Sequence, residues 1–377
     1  MKITALENFF VKPRWMFLKI STDAGLVGWG EPIVDGRART VARAIEELHP
    51  LLLGQDPGRI EHLWQLMYRS THERGGPILI SAISGIEQAL WDIKGKALGV
   101  PVYDLLGGAC RTHIRMCAHC GGASPQDAAF QAKGLRVKGY SAVKTAIEGA
   151  VRTIDTPEFL DKTVARIAAI RQEVGRTVDV AVDFRGRLSP AMSRRLLPLL
   201  EPYGIVFAED PCPPENMRAI AGIAASTTVP IATGGRLFTR WEMRDVLEQR
   251  AVAVLQPDVC HAGGIFETRK IAAMAEAYSV SIAPHNAHGP IALAASLQIA
   301  ACIPNFLMLE HPGMPNKWDV GHGFLATPFN ILEGYLDLPR TPGLGIEMNE
   351  EAIRERAYAG DWESPRPLHV DDHSVAE

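Results

Sequence analysis

Asp183, Glu209, Gly235, Asp258, His285 and Glu310 recur at intervals of about 25 residues, each ending or just following a short apolar run. All but Gly235 carry polar side chains. A group that removes a proton next to a carboxylate must be neutral near pH 7, which suits the imidazole of His285. A carboxylate one interval earlier, Asp258, can fix the imidazole tautomer and stabilise the imidazolium that forms. Asp183 and Glu209 suit a metal or other cation, and the alternative use of such carboxylates is to cap the helices that follow. Lys144 ends another apolar run and is expected to line the same pocket. His261 and His288 lie near the same positions, with helix-start or packing roles weighed equally. Glu31 reads as a structural or domain-interface carboxylate, and Cys212 and Cys260 as inert thiols.

The interval is one βα unit. Eight apolar runs (114–120, 142–145, 178–184, 205–209, 230–233, 252–257, 280–284 and 306–309) alternate with helical patterns over 157–174, 190–200, 217–225, 240–249, 264–277 and 290–303. Repeated βα units predict a parallel sheet, and eight of them can close into a (β/α)8 TIM-like barrel. The polar positions then share the C-terminal rim, where such barrels build their active sites. Residues 1–112 read differently. Strands over 2–11, 14–22 and 27–32, with a turn at Asp23-Ala24-Gly25, precede helices over 38–53, 60–68 and 78–98. The expected division is an α+β capping domain (1–112), a barrel (113–327) and a C-terminal segment (328–377) returning to the cap.

With 47% hydrophobic residues, 22% charged residues and a net charge of −4, the chain has an ordinary globular composition. It has no Lys/Arg block for nucleic acid or an anionic membrane, no apolar run long enough to span a bilayer, and no signal-peptide pattern. Cys117-Ala118-His119-Cys120 falls in a predicted strand whose alternation points the two thiols to opposite faces, against a redox pair or zinc site. A cytoplasmic protein is expected.

Arg14-Trp15-Met16-Phe17-Leu18-Lys19, Gly28-Trp29-Gly30-Glu31-Pro32, the run from Gln88 to Lys96, Gln256-Pro257-Asp258, His261-Ala262-Gly263-Gly264 and Gly289-Pro290-Ile291-Ala292-Leu293 resemble the enolase superfamily, mandelate-racemase-like branch. The resemblance runs nearly end to end and is greatest to the D-galactonate dehydratase family. It implies one Mg²⁺ held by carboxylates at the ends of strands three, four and five. Asp183 and Glu209 match the first two, while Gly234-Gly235-Arg236 stands where the family has Gly-Glu-Arg. It also implies a second catalytic His where this chain has Arg185. His285 and Asp258 match the general base and its orienting carboxylate.

The function implied is a lyase that removes the C2 proton of a sugar acid and expels the 3-hydroxyl. Two alternatives are a racemase or epimerase of a hydroxy acid, and a non-catalytic relative that binds a sugar acid or a protein partner. Substrate contacts are expected from Arg185, Arg236, Glu310, Lys144 and Arg14. Mg²⁺ binding is expected to be weak, because hard-cation affinity follows the number and charge of oxygen ligands. The Arg185 guanidinium is expected to pair with Asp183 or Glu209, or to clamp the substrate carboxylate. The resemblance also implies a homo-oligomer.

Overall fold

The structure is a computed structural model describing residues 1–311, 320–360, 368–369 and 371–376. The chain opens with an antiparallel meander, β1 (Ile3–Val11), β2 (Trp15–Thr22) and β3 (Val27–Gly30). Its buried face carries Phe9, Val11, Trp15, Phe17 and Trp29. Helices α1 (Ala38–Leu52) and α3 (Pro77–Leu98) pack against it, and α2 (Ile60–Arg69) and the single turn α4 (Val102–Leu105) pack on α3. β3 lies directly on α3. A Cβ at Gly30 would fall 1.9 Å from the Gly85 carbonyl oxygen, so glycine is the only residue that permits this approach.

The barrel strands are β4 (His113–His119), β5 (Ala142–Ala146), β6 (Asp179–Asp183), β7 (Phe207–Glu209), β8 (Ile231–Thr233), β9 (Val254–Leu255), β10 (Ser281–Ile282) and β11 (Leu309–His311). All are parallel, in chain order, and β11 pairs β4 with Leu309 opposite Met116. The ring closes through the approach to β11, where Ile282 and Phe306 form a parallel bridge. Cys117, Ala142, Ala181, Phe207, Ala232, Val254, Ala283 and Met308 fill its interior. Small residues dominate because facing strands leave little room, and Phe207 and Met308 fill what remains.

The intervening helices are α5 (Pro125–Val137), α6 (Pro157–Val174), α7 (Pro190–Leu200), α8 (Met217–Ala224), α9 (Thr239–Glu248), α10 (Ile265–Ala277) and α11 (Pro290–Cys302). α5, absent from the sequence-read pattern, starts with a capping box between Ser124 and Asp127. Past the barrel, β12 (Tyr335–Asp337) pairs antiparallel with β4, and α12 (Glu350–Glu355) lies on β1, where Glu350 accepts from Lys19 at 2.8 Å. Among the described residues, no helix is long and apolar enough to cross a membrane.

Candidate active site

The parallel register sets the rim. Asp183 pairs with Glu209 as the last residues of β6 and β7, so their side chains emerge side by side. Gly235, Asp258 and His285 follow β8, β9 and β10, and Glu310 lies in β11. Together they border a cavity of about 440 Å³ lined by Asp183, Glu209, Gly235, His285 and Glu310, with Arg14, Arg185 and Arg236 around them.

His285 Nδ1 lies 2.7 Å from Asp258 Oδ2, which leaves Nε2 facing the cavity. The second Asp258 oxygen accepts the Cys260 amide at 2.7 Å, fixing the carboxylate. Burial works to lower the His285 pKa, but the Glu310 and Asp258 carboxylates outweigh it and push it up to about 10. The expectation of a neutral imidazole at pH 7 is therefore corrected: the two carboxylates that flank His285 favour its imidazolium form.

Lys144 does not line the cavity as expected. It lies beneath, fully buried, its ammonium 2.8 Å from Glu209 and 2.6 Å from Glu310. Burial opposes the charge, yet these carboxylates hold its pKa above the ordinary value, and Lys144 in turn keeps Glu310 ionised. Glu209 also accepts from Gln256 Nε2 at 2.8 Å. Glu310 accepts from His119 Nε2 and from the Asn286 amide, so it is a held carboxylate on the cavity wall.

Arg185 adopts a left-handed backbone (φ 54°) that brings its own amide to Asp183 Oδ1 at 2.7 Å. Its Nε lies 3.6 Å from Asp183 Oδ2 and half of its side chain stays exposed, so it pairs with Asp183, while the cation at Glu209 is Lys144. Arg236 donates from Nε and Nη2 to Asp210 Oδ2, at 3.2 and 3.0 Å. Arg14, from the turn between β1 and β2, reaches the Ala287 carbonyl at 3.1 Å and brings the cap to the cavity edge.

Sequence reasoning missed His119 and Asp210. His119 ends the first barrel strand, and reading every strand end as a rim position finds it. Asp210 follows Glu209 directly, and its φ of 43° turns its carboxylate towards Thr233 and Arg236. Glu31 is a domain-interface carboxylate: fully buried, it accepts the amides of Gly289 and Ala292 at the start of α11. Burial raises its pKa to about 7.

Comparisons with known proteins agree with this architecture. Residues 8–107 match the mandelate racemase / muconate lactonizing enzyme N-terminal domain, and residues 127–352 the enolase C-terminal domain-like family. A D-galactonate dehydratase of Ralstonia pickettii is 48% identical over the whole of both chains, and one of Pectobacterium atrosepticum is 45% identical over the same span. A solved mandelate racemase/muconate lactonizing enzyme from Jannaschia sp. superposes with a TM-score of 0.90 at 31% identity, covering 96% of this chain and 99% of that one. The chain belongs to the enolase superfamily, in its mandelate racemase / muconate lactonizing enzyme branch.

Proposed function

We propose that the chain is a sugar-acid hydro-lyase of the galactonate dehydratase type, with His285 as the proton-abstracting base. The observation that carries this is the His285–Asp258 pair presented to a cavity edged by Arg14, Arg185 and Arg236, in a chain 45–48% identical end to end to D-galactonate dehydratases.

Dehydratases of the enolase superfamily typically use Mg²⁺. The residues here do not fit that ion. Gly235 supplies no oxygen, and a Cβ built there points at the His285 ring, 3.2 Å from Cγ. Both Glu209 oxygens already accept from Lys144, one of them also from Gln256, and Asp183 accepts the Arg185 amide. Mg²⁺ dehydrates reluctantly and demands near-octahedral oxygen ligation, which Asp183 and Glu209 alone do not give. Calorimetry is expected to show no Mg²⁺ binding tighter than about millimolar, and micromolar affinity would refute this.

The side chains support the following chemistry. Nε2 of neutral His285 takes the C2 proton, and the C–H electron pair becomes an enediolate. Arg185 is the cation proposed to face that charge. Arg185 cannot also donate a proton, since a guanidinium does not titrate in proteins. His285 therefore returns its proton to the 3-hydroxyl. The C3–O bond breaks, water leaves, and the enol of a 2-keto-3-deoxy acid remains.

Because the His285 pKa is about 10, its neutral fraction grows about tenfold per pH unit below that value. Exchange of the C2 proton is expected to accelerate across pH 7 to 9. A rate already level at pH 7 would show that the base titrates well below 10. The reading itself is tested with D-galactonate in deuterated buffer. C2 exchange with release of a keto-deoxy acid supports it, and retention of the C2 proton across a panel of aldonic acids sinks it. An epimerase is the second reading, favoured by the absence of a leaving-group acid at Arg185, and its mark is an inverted C2 without loss of water.

The same proposal takes in the setting. The division at 112/113 and 327/328 is supported by the start of the barrel at His113, although the matched C-terminal family model extends to residue 352. A cytoplasmic location is supported by six free cysteines. For a homo-oligomer, Phe130 and Val137 on α5, 77% and 80% exposed, are the apolar side chains an interface would cover, and light scattering reads the mass.

A further inference from the structure

Three imidazoles gather around one carboxylate next to the cavity. Asp258 Oδ2 lies 2.7 Å from His285 Nδ1 and 3.2 Å from His288 Nε2, and the three donor atoms fall within 4.8 Å of one another. His261 Nε2 lies 3.2 Å from His288 Nε2. Asp258, His261 and His288 are absent from the cavity lining, so the proposed lyase chemistry leaves His261 and His288 unused.

We propose that Asp258, His285 and His288 bind a first-row transition-metal ion such as Zn²⁺ or Co²⁺, with water completing the shell, and that the bound ion switches off the His285 base. The donor chemistry selects the ion: imidazole nitrogens suit Zn²⁺, Co²⁺, Ni²⁺ or Cu²⁺, whereas Mg²⁺ prefers oxygen alone. The spacing agrees. Tetrahedral ligation at about 2.0–2.1 Å separates donor atoms by roughly 3.4 Å. The Asp258 contacts to His285 and His288, 2.7 and 3.2 Å, lie within roughly 1 Å of that separation.

The outer shell is in place as well. Ser81 Oγ holds His261 Nδ1 at 2.8 Å, His261 Nε2 faces His288 Nε2 at 3.2 Å, and the Cys260 amide anchors the other Asp258 oxygen. Ser81 lies on α3, so the cap reaches the surroundings of the site. Binding exchanges the protons shared among Asp258, His285 and His288 for the ion. No other reactant is needed. His285 then loses the carboxylate that stabilises its imidazolium.

Metal binding rests on geometry alone, and the switching rests on the proposed base. Untagged protein is titrated with Co²⁺, followed by its visible absorption. One Co²⁺ per chain with the intense spectrum of four-coordination is expected, displaced by Zn²⁺. His288→Gln should weaken it at least tenfold, and Asp183→Asn should leave it unchanged. Absence of binding, binding indifferent to His288→Gln, or binding lost in Asp183→Asn overturns the site. C2 exchange should fall in step with occupancy and return on chelation. Exchange that persists in the loaded protein overturns the switch. Metal-free protein that exchanges no sugar acid defeats the lyase reading instead, and the Co²⁺ spectrum still decides the site.

Discussion

Replacing His285 by Asn is expected to lower C2 exchange and dehydration by a factor of about 10² to 10⁴, the usual contribution of a positioned acid–base group. The loss should be large because one imidazole carries both transfers: it takes the C2 proton and returns it to the departing hydroxyl. The side chain is 25% exposed and, among the described residues, hydrogen-bonds to Asp258 past the neighbouring strand, so Asn fits the space with little cost to folding. Asp258→Asn should cost less, since it leaves the imidazole present but takes away the charge that orients it and stabilises its protonated form. The comparison is made by deuterium incorporation at C2 and by release of keto-deoxy acid, scored separately. If His285→Asn keeps its exchange rate, the base has been misassigned, and His119, on the same cavity wall, becomes the group to replace.

The second large effect is a gain. Gly235→Glu together with Arg185→His is expected to raise dehydration of galactonate-like acids by about 10² or more, and to make it Mg²⁺-dependent. The Glu would supply the missing oxygen beside Asp183 and Glu209, and the His a titratable acid for the leaving hydroxyl. A Cβ at position 235 meets His285 Cγ at 3.2 Å and Cδ2 at 3.4 Å, so the imidazole must yield by tenths of an ångström. Gly235→Glu alone should therefore gain little or lose activity: the new carboxylate crowds the base and can pair with the retained Arg185. A charged ion beside the carboxylates should also lower the His285 pKa, so the double variant with Mg²⁺ should reach its maximal rate at lower pH than the parent. The single and double variants are compared by turnover across pH, with and without chelator. A folded double variant that binds Mg²⁺ and turns over no sugar acid would show that the site differs in more than these two residues.

What the sequence made legible was periodic and local. The one-unit interval put Asp183, Glu209, Asp258, His285 and Glu310 on one rim because parallel strands in register bring equivalent positions together. What it hid was the outcome of closure. Lys144 and His119 meet Glu310 only because β11 lies beside β4, a contact between residues nearly two hundred positions apart. Nothing within either strand announces it, so Lys144 read as a pocket lysine rather than as a buried counter-ion. Helix α5 was obscured differently: Phe130 and Val137 face solvent, which blurs the apolar stripe on which a helical reading depends. The Ser124–Asp127 capping box was the remaining signal for it.

Helix α11 bears on how such proteins can be recombined. All thirteen of its residues are buried, and its first amide hydrogens end on Glu31, a carboxylate contributed by the cap. An ordinary outer helix of a barrel keeps one polar face in water. This one is covered on every side, so a barrel separated from its cap would expose the side that α4 and β3 cover, with unsatisfied amides at its start. Cap and barrel are therefore not interchangeable cassettes. A chimera that takes its cap from a relative must carry over a carboxylate at position 31 and glycine at position 289, where a Cβ would fall 2.7 Å from that carboxylate. Substrate range can be traded more safely through the Arg14 side chain, which reaches the cavity edge from the cap and makes no hydrogen bond to Glu31 or Gly289 among the described residues.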